Sequence, residues 1–190
     1  FFFSKHLIFT LVAILIMFVI SALETSLLKK MVLPLFLLFF LLLILVPIIG
    51  VEVKGAKRWI DLFFFRLQPI ELLKPFFILM TVKILTMKNF QNNIMKYFLS
   101  FLLLLSVIIL LVDQPDLGQS ILIIVSWIAT VFISGVNLIF ILSFFSIFII
   151  SISFLLYLMP EKFGYVINRL TTFLDPTKGD NFQSSKALDA

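Results

Sequence analysis

The sequence predicts an all-α polytopic membrane protein with six transmembrane helices, and three observations carry that prediction. Apolar residues make up 62% of the 190-residue chain and charged residues only 13%, with a mean hydropathy of +1.22; a soluble domain of this length needs more polar surface. The apolar residues gather in runs as long as a membrane crossing, about 20 residues. Those runs are apolar throughout rather than alternating with period 2. The backbone is therefore expected to satisfy its own hydrogen bonds in helices and not in a β-barrel.

The first two runs, 7–23 and 31–51, carry no charge and can each span. A polar loop, 52–66, follows. The third span, 69–87, is apolar but holds Glu71, Lys74 and Lys83. The fourth is the uncharged run 97–112. The stretch 117–160 has no charge and is too long for one helix, so it must fold back. Ser134-Gly135-Val136-Asn137 is the natural turn, giving spans at 117–134 and 138–159. A polar tail, 161–190, closes the sequence. The chain starts on Phe1 without a signal peptide and ends without a closing signal, which reads as a fragment cut at both ends.

Alternation places the first residues, the 52–66 loop, the 113–116 loop and the tail on one side. The 24–30, 88–96 and 134–137 loops fall on the other. The second set holds Lys29, Lys30, Lys88 and Lys96 against Glu24 alone, while the first mixes more bases with many acids. Counting Lys and Arg therefore leaves the orientation undecided. The net charge of +5 suits contact with anionic membrane lipid. No basic run supports nucleic-acid binding. With no Cys and one His, His6, neither a disulfide framework, a thiolate or His-rich metal site nor a Ser-His-Asp arrangement can be built. No phosphate-binding Gly-rich loop is present. No metal site is readable, and a divalent-cation requirement stays open.

The unusual polar residues fall on one side. Gln68-Pro69-Ile70-Glu71 opens the third span and Gln114-Pro115-Asp116 opens the fifth. Proline suits a first helical position, and an acid suits the positive end of a helix dipole. Both strings can be plain helix starts. Glu71 and Lys74 share a helix face inside an apolar run, where ionisable groups normally face a bundle interior or a wet cavity. They are either a packing ion pair or the charged lining of a substrate cavity. In the loop, Lys57, Arg58 and Trp59 follow Gly55 and Ala56. The Arg fork suits phosphate oxygens, yet the same string makes an ordinary interfacial anchor. In the tail, Val166, Leu170 and Phe173 share a helical face beside Arg169, as in a surface-lying segment ending at Pro176.

Four strings in order resemble the SEDS family (FtsW/RodA/SpoVE). They are Val53-Lys54-Gly55-Ala56-Lys57-Arg58-Trp59-Ile60, Gln68-Pro69-Ile70-Glu71 with Lys74-Pro75, Gln114-Pro115-Asp116-Leu117-Gly118-Gln119, and Arg169 to Pro176 with Gly179-Asp180 and Phe182-Gln183. The resemblance covers essentially the whole chain and is closer to the division branch, the FtsW type, than to the elongation branch. Ile70 departs from it, standing where the family has a small residue. The resemblance implies a ten-helix fold of which these are the second to seventh helices. The Arg-Trp loop and the tail would lie outside the cytoplasmic membrane, at the division septum, with the tail starting the large extracytoplasmic loop. It further implies a peptidoglycan glycosyltransferase that polymerises lipid II alongside a class B penicillin-binding protein and other division proteins. Lys57, Arg58, Trp59, Gln68, Glu71, Lys74, Gln114, Asp116 and Arg169 would contact substrate. The family's catalytic Asp would lie past residue 190. Two further readings remain: a lipid II flippase, and a non-catalytic membrane scaffold.

Overall fold

The computed structural model describes residues 2–53, 56–62, 65–88 and 93–136, with isolated helical positions from 139 to 153. It is mostly helical. The chain divides into two compact units, Phe1–Thr130 and Val131–Ala190.

The first unit begins with α1, Phe2–Ala22. Every side chain from His6 to Ala22 is exposed. A helix apolar all round suits a protein core or a membrane span. Helix α2, Thr25–Ile49, starts after two intervening residues and carries Pro34 and Pro47 inside it. The expected 24–30 loop is thus largely helix: Lys29 and Lys30 sit in the second turn of α2, because Leu27 and Leu28 donate their N–H groups to the Glu24 carbonyl and begin the helix there.

The 52–66 segment departs most from an all-α chain. It forms a three-stranded antiparallel sheet of β1 (Val51–Val53), β2 (Ala56–Asp61) and β3 (Arg66–Leu67), in that order. Ala56 and Ile60 are buried on one face of β2, while Lys57 and Asp61 are exposed on the other, the period-2 pattern of a half-buried strand. Pairing runs Val53 to Ala56 and Glu52 to Lys57, then jumps to Val51 with Trp59. Arg58 is the extra residue of this bulge, a feature that re-aims a side chain.

Helix α3, Pro69–Leu85, starts where the sequence places it, with Pro69 at its first position and Glu71 in the first turn. Helix α4, Asn93–Asp113, begins four residues before the expected span and takes in Lys96. Helix α5, Leu117–Ile133, ends at a turn where Gly135 has φ +86°. That is the left-handed region glycine enters without penalty. The turn belongs to the second unit. The sixth expected span lies mostly outside the described residues, as does the whole tail.

Helices α2 and α4 are long and apolar enough to cross a membrane; the apolar helical runs His6–Ala22 and Leu117–Ile133 are shorter. The core lies among α2, α3 and α4. Leu43 and Val46 of α2, Leu73 and Phe77 of α3, and Val107 and Leu111 of α4 are fully buried. Phe39 and Phe76 join α2 to α3 with ring centroids 5.3 Å apart, and Phe101 and Trp127 join α4 to α5 at 5.8 Å. Ile70 is 1% exposed, so the bulk that departs from the family pattern packs into the interior.

Candidate functional site

Proline placement creates the first link of the site. Inside a helix the Leu43 carbonyl would accept from the N–H four residues on, but that residue is Pro47, which has none. A buried carbonyl left without a donor costs about 1–3 kcal/mol. Gln114, only 3% exposed, supplies the donor: its Nε2 lies 3.0 Å from the Leu43 oxygen. The end of α4 is thereby fastened to α2.

The α4–α5 turn then meets the bulge in β2. Arg58 Nε donates to the Gln114 carbonyl at 3.0 Å and Nη2 to the Pro115 carbonyl at 2.5 Å. Its remaining amino group stands 3.8 Å from Asp116 Oδ1. All three nitrogens of the fork thus face protein acceptors. In this structure Arg58 is a strut between hairpin and turn.

Asp116 is 7% exposed and occupies the position before α5. Its carboxylate does not cap its own helix. Oδ2 instead accepts from Gln68 Nε2 at 3.0 Å, while its backbone carbonyl takes the Ser120 N–H and hydroxyl at 3.1 and 2.9 Å. Pro115 lies outside the helix rather than at its first position, so only α3 has the expected proline start. Gln68 is the residue before α3 and makes no cap bond of its own. Hence Arg58, Asp116 and Gln68 tie the sheet, the start of α5 and the start of α3 together.

One turn into α3 stands the expected ion pair. Lys74 Nζ is 2.6 Å from Glu71 Oε2; the Lys74 side chain is 18% exposed and that of Glu71 49%. The other carboxylate oxygen of Glu71 accepts from Gln119 Nε2 of α5 at 2.7 Å. The Gln119 amide oxygen is buried without a hydrogen-bond partner. Gln119 was not among the residues singled out as substrate contacts. Its signal was there: it follows Asp116 by three positions, on the same face of α5. Glu71 and Lys74 therefore form an ordered, half-open polar group against the first turns of two helices, whose N–H groups favour anions.

The remaining expected residues separate from this group. Trp59 is partly exposed and, two residues from Lys57 on β2, suits an interfacial anchor. Lys57 lines a different cleft of about 290 Å³, together with Pro47, Glu52, Asp113, Gln114 and Pro115. Arg169 lies outside the described residues. Among the described residues no group of three or more His, Cys, Asp or Glu is placed to hold a metal ion.

Fold and site together define a helical membrane protein with an ordered ionic cluster at the starts of two apolar helices. The family follows from comparison: the chain belongs to the FtsW/RodA/SpoVE family, described as cell cycle proteins, whose family model matches residues 1–190. A relative from Coxiella burnetii, named "Probable peptidoglycan glycosyltransferase FtsW", is 33% identical over 198 residues, covering 100% of this chain and 52% of that protein. The crystal structure of the rod shape determining protein RodA from Thermus thermophilus matches with a TM-score of 0.62 and 32% identity, over 68% of this chain and 43% of that one. A chain from a structure described as a peptidoglycan synthase complex coordinating polymerization and crosslinking matches with a TM-score of 0.73 and 29% identity, over 86% of this chain and 48% of that one. This chain spans about half the length of the curated relatives it matches.

Proposed function

We propose that the protein to which this chain belongs is a peptidoglycan glycosyltransferase that polymerises lipid II into glycan strands during cell division. The observation that carries this reading is the Glu71–Lys74 pair, closed at 2.6 Å and steadied by Gln119 from a second helix. An ionic pair in an apolar helix, half open and bridged to a second helix by Gln119, is more than packing requires. Lys74 and the first turns of α3 and α5 supply positive potential for the pyrophosphate of a polyprenyl-linked donor. Glu71 holds Lys74 in place and faces the sugar side. Inverting transfer also needs a carboxylate base for the acceptor hydroxyl, and the resemblance places that base past residue 190.

In this reading the six expected spans are the second to seventh of ten. The sheet and the tail face outside the bacterial inner membrane at the septum, the tail opening the large loop. Arg169 contributes from that loop to the substrate cavity. Gln68, Gln114, Asp116 and Arg58 hold the cavity wall, Trp59 anchors it at the interface, and Lys57 meets phosphate at headgroup depth. A class B penicillin-binding protein crosslinks the strands as they emerge.

The test is to purify the full-length protein with its transpeptidase partner and supply lipid II. Glycan strands on a gel support the glycosyltransferase. Translocation of lipid II without strands would establish the flippase instead, and neither activity would leave a scaffold.

A further inference from the structure

The cleft that contains Lys57 lies apart from the Glu71–Lys74 group and has its own chemistry. Its walls come from the C-terminal ends of α2 and α4 and from the β1–β2 hairpin. Two helix C-termini bring negative potential to one place. Glu52 and Asp113 add two carboxylates, and among the described residues neither forms an ion pair or a side-chain hydrogen bond. Glu52 and Lys57 are directly opposed in the strand register and still do not close on each other. Gln114, 3% exposed, also lines the cleft. Its amide nitrogen is committed to Leu43, and among the described residues no donor meets its amide oxygen. Gln114 thus adds a third acceptor to the lining of the cleft.

Three acceptors and two helix ends call for a cation with several N–H donors, which is a primary ammonium. Lys57, the one cation among the described lining residues, calls for an anion joined to it. We infer that this cleft binds the zwitterionic headgroup of an ethanolamine phospholipid, its ammonium toward Glu52, Asp113 and Gln114 and its phosphate toward Lys57. The location supports a lipid: the cleft opens at the ends of α2 and α4, the two helices long and apolar enough to span, which is headgroup depth. The volume of about 290 Å³ lies at the lower limit of small-molecule sites, roughly 300 Å³. It admits a headgroup and is small for a disaccharide. The inference rests on membrane insertion and not on glycosyl transfer.

The experiment uses the full-length protein in vesicles of equal parts ethanolamine, choline and anionic glycerol phospholipids. Protein is extracted in mild detergent, and retained lipid is counted by native mass spectrometry. The ethanolamine lipid should exceed the choline lipid by about tenfold, because trimethylation removes every N–H donor. Glu52→Gln with Asp113→Asn should abolish that preference, and Lys57→Met should lower total retention. Equal retention of ethanolamine and choline lipids would overturn the assignment, as would a preference that survives the double substitution. Equal uptake of soluble phosphoethanolamine by lipid-free protein would move the site to a soluble ligand and overturn the lipid assignment.

Discussion

Replacing Arg58 with Ala removes the strut between hairpin and turn. The structure gives that side chain two hydrogen bonds to carbonyls, at 3.0 and 2.5 Å, and an approach of 3.8 Å to Asp116. Hydrogen bonds from a charged donor contribute about 1.5–3 kcal/mol each. The Arg58 side chain is 24% exposed, so water recovers part of that loss. Asp116 is 7% exposed and keeps only Gln68 as a side-chain partner. Breaking a buried pair by removing one member costs about 3–5 kcal/mol, and partial access places Arg58→Ala near the bottom of that range, about 3 kcal/mol. The assay is thermal unfolding of the full-length protein in detergent, followed by tryptophan fluorescence. The full-length protein is about twice the length of this chain, so each kcal/mol moves its midpoint by roughly 1–2 °C, half the shift of a 150–250-residue domain, and the midpoint should fall by about 3–6 °C. Arg58→Lys should recover less than half, because an ammonium cannot span two carbonyls and a carboxylate as the planar fork does. A cycle with Asp116→Asn should show coupling of about 1–3 kcal/mol. An unchanged midpoint in Arg58→Ala, with lipid II binding lost, would refute the strut and return Arg58 to direct substrate contact.

Two further substitutions probe the framework. Gln114→Leu should cost about 1–3 kcal/mol by orphaning the Leu43 carbonyl, and adding Pro47→Ala should restore most of it by giving that carbonyl an N–H in its own helix; thermal midpoints of both variants decide it. Gly50→Ala should destabilise the hairpin junction, because its Cβ would stand 2.3 Å from the Val46 carbonyl oxygen. Gly118→Ala, with nothing within 4 Å of the new Cβ, should leave the midpoint unchanged or raise it by up to about 1 kcal/mol equivalent; protease resistance of the two proteins side by side reads the contrast.

The helices were largely legible because lipid demands long uncharged runs, and the Pro69 start of α3 coincides with its sequence signal. The sheet was not. Val51 and Val53, the two residues separating Val53 from Ala56 with Gly55 as the second, and the alternation of Ala56, Arg58 and Ile60 together spell a hairpin. Those same residues also read as a phosphate-binding string. The Glu71–Lys74 pair followed from helix spacing alone. The roles of Arg58 and Gln114 did not, since both depend on backbone carbonyls. No residue type marks a carbonyl as free, although Pro47 four positions past Leu43 is the trace one of them leaves. Helix ends shifted where polar residues such as Lys29, Lys30 and Lys96 extend a helix beyond its apolar run.

The central claim is that the Glu71–Lys74 pair belongs to the transferase cavity, and Glu71→Gln tests it most directly. The amide keeps the shape and can still meet Gln119, but it no longer holds the Lys74 ammonium by charge. The measurement is strand formation from lipid II by the full-length protein with its partner, with membrane insertion and thermal midpoint checked in parallel. The account predicts a rate lowered about a hundredfold, the scale for losing one preorganised charged group, in a protein that inserts and unfolds normally. Full activity in Glu71→Gln would contradict it and leave the pair as a device for packing α3 against α5.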